Sequence, residues 1–129
     1  MGIGFFALMA AGGAFLVWLN WKKIGREEDV TSQKNQVQQL ARSVAIARSR
    51  LEQARSQQDP AKRADYARQA VDGYTQALGV DPNEAIYWGE RAEAHAILGN
   101  LEAARRDLSK AKELRPGEDW SALEKKCGP

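Results

Sequence analysis

The chain has 129 residues and a formal charge of +2, which leaves room for one modest domain and one further segment and little interior in which to bury a catalytic cavity. Charge is unevenly divided: Lys and Arg outnumber Asp and Glu by 10 to 5 over residues 22–63 and trail them by 9 to 12 over 64–129. The single cysteine, Cys127, excludes an internal disulfide and has no second Cys or nearby His with which to complete a metal site.

The first element is the uncharged run from Gly2 to Trp21, GIGFFALMAAGGAFLVWLNW. About 20 uncharged residues at 1.5 Å rise match a hydrocarbon core of about 30 Å, so residues 1–21 are expected to be a single transmembrane helix in contact with a lipid bilayer. Trp18 and Trp21, followed by Lys22, Lys23 and Arg26, have the order of an aromatic belt and basic flank at a membrane interface. The positive-inside rule then places the N-terminus outside and everything after residue 21 on the cytoplasmic side. A cleavable signal peptide is the rival reading, but it would open on basic residues, which Met1–Gly4 lacks. Within the run, Ala7, Ala10, Ala11 and Ala14 recur at i, i+3, i+4 and i+7, a small-residue stripe against which a second membrane helix could pack. Alanine is also common in membrane helices, so the stripe has a plain explanation beside the functional one.

Residues 22–32 read as a juxtamembrane linker, and 33–58 as a long amphipathic helix capped by Thr31 or Ser32. Its apolar seam is Val37, Leu40, Val44, Ala47, Leu51 and Ala54, at alternating spacings of three and four. Such a seam suits a coiled-coil strand or a helix covering the module that follows; two alanines among six positions favour the cover. The basic half has no aromatic between Trp21 and Tyr66, so nucleic acid is not expected as a partner.

The most specific signal comes next. ALGVDP at 77–82 and AKELRP at 111–116 align at a separation of 34 residues, Pro82 to Pro116. The intervening sequence resembles a tetratricopeptide repeat: Trp88 takes the early aromatic place, Ala92 the small place at the helix crossing, Gly99 the turn, and Ala104, Leu108 and Ala111 the small, bulky and small places of the second helix. Arg91 stands where that family has Leu, and His95 where it has Tyr. The preceding unit matches in part, through Ala70, Tyr74, Ala77 and Pro82, but its turn is missing near Asp65-Tyr66. Asp59-Pro60 instead starts a longer helix over 61–78. Asn83 and Asn100 suit the caps of the next two helices. Glu118 to Lys126 can form a terminal capping helix with Trp120 and Leu123 turned inward.

The expected architecture is therefore all-α: a transmembrane helix, a long helix, and over 59–129 a short tetratricopeptide-like α–α superhelix with a C-terminal cap. The resemblance implies a non-enzymatic protein-binding scaffold, with partners lying on the concave face made here by Ile86, Gly89, Glu93, Ala96 and Ile97. Those positions lack the basic and amide side chains of a carboxylate clamp and suggest an apolar or basic peptide partner. The expected role is an adaptor, or an accessory or assembly subunit of a larger membrane complex. The alternative is a receptor in protein targeting or translocation, since the small presequence receptor of the mitochondrial outer membrane has a similar order of segments. No cofactor, metal or small-molecule substrate is expected. His95, the sole histidine, falls at a packing position, and the adjacent Gly12 and Gly13 lie in the apolar run, not at a helix N-terminus able to hold phosphate.

Overall fold

Five α-helices and no strand occur among the residues that this computed structural model describes, 30–128. The first, α1, covers 30–56. It is followed by α2 (Pro60–Val80), α3 (Ala85–Ile97), α4 (Leu101–Leu114) and the short α5 (Ser121–Cys127). Gln38–Pro129 forms one compact unit. Helical backbone also covers 30–37, where every side chain is exposed.

The expected membrane location, N-terminus outside and repeat module cytoplasmic, is overturned. No helix among the described residues is long and apolar enough to cross a membrane. The reason is charge: α2, though 21 residues long, carries Lys62, Arg63, Asp65, Arg68 and Asp72. The run over 1–21 lies outside the described residues. So do the stripe Ala7, Ala10, Ala11 and Ala14 and the interface residues Trp18, Trp21, Lys22, Lys23 and Arg26.

Local chemistry sets most helix ends. Asp59 accepts a hydrogen bond from the Ala61 amide at 3.1 Å, and Pro60 takes the first helical position, where its missing N–H leaves no gap. The turn therefore falls at 57–59, upstream of Asp65-Tyr66, and α2 gains nearly two turns at its start. Between α3 and α4, Gly99 has φ +76°, a left-handed conformation that costs a side-chain-bearing residue free energy. Its amide donates to the Ala96 carbonyl at 3.0 Å and the Asn100 amide to the His95 carbonyl at 2.9 Å, the Schellman pattern that closes a helix C-terminus.

Two expected caps differ. Glu84, not Asn83, precedes α3 as its N-cap and accepts from the Ile86 amide at 3.4 Å, because the Asn83 amide is turned back to the Asp81 carboxylate. Thr31 and Ser32 lie within α1, since helical backbone already includes residue 30.

The core is furnished mainly by methyl groups. Ala47, Ala54, Ala67, Ala70, Ala77, Ala85, Ala92, Ala94, Ala104 and Ala111 have no exposed surface, and among the larger side chains of the described residues only Tyr74, Leu51 and Cys127 are fully buried. Alanine at each crossing lets helix backbones approach closely. At the crossing of α1 with α2, a Cβ built on Gly73 would lie 2.7 Å from the Cβ of Ala47.

Leu51 and Ala47 of α1 join Ala70 and Tyr74 of α2 and Ala94 of α3 in one cluster, so α1 covers the repeat as its first layer. Val44, Ala47, Leu51 and Ala54 of the expected seam are buried, while Val37 is 65% exposed. A second cluster joins Ala92, Ala104 and Leu108 to Cys127, with Trp120 and Leu123 packed against it.

Candidate functional site

The site begins with Glu93, on the inner face of α3 and 5% exposed. A carboxylate at that depth requires charge partners. Arg55, near the end of α1, donates to it through Nε at 3.1 Å and again through Nη2; Lys126, from α5, donates through Nζ. Burial alone would push the Glu93 pKa up, but the hydrogen bonds from Arg55 and Lys126 outweigh it and hold the pKa below the ordinary carboxylate value. The same contact with Glu93 holds Arg55 still more firmly protonated. Three helices are thus tied at one side chain.

Two grooves flank this junction. One, of about 250 Å³, is lined by Arg55, Arg63, Glu93, Ala96, Ile97 and Lys126. Its floor is the apolar end of α3, and its walls come from α1, α2 and α5. The other, of about 330 Å³, is bounded by Ile86 and Gly89 of α3, Trp120 and Leu123 of the C-terminal segment, and the acids Glu90, Glu118 and Asp119, and it shares Arg55, Glu93 and Lys126 with the first.

The five residues expected on the concave face are accordingly divided. Glu93, Ala96 and Ile97 line the basic groove together. Ile86 and Gly89 fall in the other, and Gly89 is sealed: a Cβ there would meet the Trp120 ring at 2.8 Å. Trp120 is fixed in turn by its indole N–H, which donates to the Arg115 carbonyl at 3.0 Å. The C-terminal segment therefore occupies the upper half of the face, and the open part is the lower half, at Ala96 and Ile97.

Sequence reasoning did not bring Arg55, Arg63 or Lys126 to this face. Arg63 reaches the groove because α2 starts early, and that start was readable from Asp59-Pro60. Arg55 and Lys126 are 71 positions apart, and no spacing rule within one helix links them.

Behind the groove, Asp107 of α4 is 6% exposed and accepts from Arg91 Nε at 2.7 Å and Nη2 at 2.8 Å. Arg91 Nη1 donates to the Thr75 hydroxyl at 3.2 Å, and the guanidinium lies 4.9 Å from the centre of the Trp88 ring. His95 Nε2 stands 3.7 Å from Asp107, and burial lowers its pKa, so it is neutral near pH 7. Among the described residues, no three metal-binding side chains converge.

Comparison with known proteins finds similar sequences over part of the chain. The chain is 36% identical over 74 residues to small glutamine-rich tetratricopeptide repeat-containing protein beta of Homo sapiens, a match covering 57% of this chain and 24% of that protein. It is 38% identical over 56 residues to the Protein SGT1 homolog of Bos taurus, covering 43% of this chain and 17% of that protein. The likeness is to a tetratricopeptide repeat. The tetratricopeptide-like chain thus spans a quarter or less of the length of these relatives. No family model matches it. No solved structure matches it either.

Proposed function

We propose that the chain is a non-enzymatic protein-interaction module, acting as an adaptor whose working surface is the groove at Ala96 and Ile97. The observation that carries this reading is the arrangement of that groove: two half-buried apolar side chains at its floor, cationic side chains at its rim, and no convergence of groups suited to bond chemistry. The remaining expected positions, Ile86 and Gly89, support the C-terminal segment and contact a partner only at its edge. The repeat likeness supports a protein over a small molecule as the ligand, since such repeats stack to form extended docking faces. A targeting receptor would be one instance of this module, and the partner recovered decides whether it is one.

The test is site-specific photocrosslinking in the native cell. A benzophenone amino acid replaces Ile97 in the full chain, and a second variant carries it at Val80, which is 37% exposed at the end of α2. Discrete protein adducts are expected at 97 and not at 80. Equal labelling at both positions, or none at 97, would sink the reading.

A further inference from the structure

We propose that the segment received by this groove is acidic: an Asp or Glu side chain lies beside Arg63, and an apolar neighbour rests on Ala96 and Ile97. This rests on the groove being the docking surface and adds what the surface selects.

The first support is the charge balance. Arg55, Arg63 and Lys126 share the groove with one lining carboxylate, Glu93, and Arg55 is also paired at 3.0 Å with Glu52 outside the lining, so three positive charges stand against two negative. Glu93 is already shared by Arg55 and Lys126. Arg63, exposed near the start of α2, has no ion pair among the described residues. An incoming carboxylate therefore meets a cation without having to displace an existing partner, and with less desolvation than at the buried Glu93 junction.

The second support is the contrast with the neighbouring groove, where Glu90, Glu93, Glu118 and Asp119 outnumber Arg55 and Lys126 by four to two. Glu90 and Glu118 are paired with Arg48 and Arg115, so the second groove carries no surplus of positive charge, and a negatively charged segment gains more from the first.

The third concerns what the groove cannot read. None of its six lining residues carries a side-chain amide or hydroxyl. Its side-chain donors are the guanidinium groups of Arg55 and Arg63 and the ammonium group of Lys126, so selection falls on charge and apolar contact.

The experiment uses the full chain and a phage library displaying random dodecapeptides with both ends blocked from the groove by flanking sequence. Selected peptides are then synthesised with capped termini and measured by fluorescence anisotropy. Asp or Glu adjacent to an apolar residue is expected to be enriched. Arg63→Glu is expected to weaken binding by about tenfold or more, and Arg63→Lys by much less, with unchanged helical circular dichroism. Exchanging the acid for its amide in the peptide should cause a comparable loss. Enrichment of basic or purely apolar peptides, or binding only by peptides with a free C-terminus, overturns the proposal. So does an Arg63→Glu variant that binds as the parent does. Crosslinking the selected peptides to a benzophenone at position 97 separates the two levels. Acid-free peptides that crosslink there overturn the acidic preference and leave the groove standing, whereas peptides that bind without crosslinking there overturn the groove itself.

Discussion

Arg91 and Asp107 meet across the α3–α4 hairpin in a two-pronged ion pair, with Nε and Nη2 each within 2.8 Å of a carboxylate oxygen. Arg91 and His95 depart from the repeat pattern, and both turn to this one carboxylate. Their departures are coupled to each other through Asp107.

Restoring the family's residue by Arg91→Leu should therefore destabilise the chain. It leaves Asp107 buried without its principal partner, at a cost of about 3 kcal/mol, discounted for the partial exposure of Arg91. Arg91→Leu combined with Asp107→Leu removes both charges and should recover most of that loss. Urea denaturation of the three chains measures the effect, and a double variant no better than the single would contradict the coupling.

Two glycines of α2 should respond in opposite directions to alanine. At Gly73 the added methyl meets the Cβ of Ala47 at 2.7 Å and its Cα at 3.1 Å, so Gly73→Ala should destabilise by about 1–3 kcal/mol despite the better helix propensity of alanine. At Gly79 nothing lies within 4 Å, and Gly79→Ala should stabilise by about 0.5 kcal/mol. Thermal melts of the two variants, taken side by side, give the signs.

Acidification should weaken the fold in two stages. The His95 pKa is depressed by burial, so below about 6.5 the unfolded chain takes up a proton that the folded chain does not, and stability is lost as pH falls. The Glu93 pKa is also depressed, because Arg55 and Lys126 outweigh burial; its contribution is intact above the unfolded value of 4.5 and is lost as pH falls through the folded one. His95→Gln should flatten the first stage only, and Glu93→Gln the second only. Urea midpoints measured from pH 7.5 downward would show it, and parallel curves for all three chains would refute the assignment.

Cys127 should report on the C-terminal segment. Its side chain has no exposed surface, and burial pushes its thiol pKa up, so it should react slowly with a disulfide reagent in the native chain and rapidly in denaturant. Trp120→Ala removes the ring that packs over Gly89, loosens α5 and should raise the native rate by about tenfold, measured by thiol titration.

Much of the repeat was legible in the sequence because its signals are local. Gly99 marks a turn that needs a left-handed residue, and Ala92, Ala104 and Ala111 mark crossings that need small ones. The Asp59-Pro60 start of α2 and the inward Trp120 and Leu123 follow from equally short-range rules. The cap of α3 was misplaced by one residue because Asn83 and Glu84 are both competent, and only the turn geometry at Asp81 chooses between them. The groove was half legible. Ala96, Ile97 and Glu93 lie on one helix at readable spacing, whereas Arg55 and Lys126 reach it from the ends of other helices. Their arrival is what the proposal of an acidic segment, in place of an apolar or basic one, rests on. Asp107 was missed although its signal was available: an arginine in a packing position needs a nearby acid, and a hairpin places the following helix within reach.

An interior of methyl groups also governs how this protein meets heat. Alanine hides less hydrocarbon than leucine or isoleucine would at the same positions, so the rise in heat capacity on melting should be small for the chain's length, and the free-energy dome correspondingly shallow and wide. Such a molecule should trade peak robustness for evenness, with a margin that varies little between a cold and a warm day.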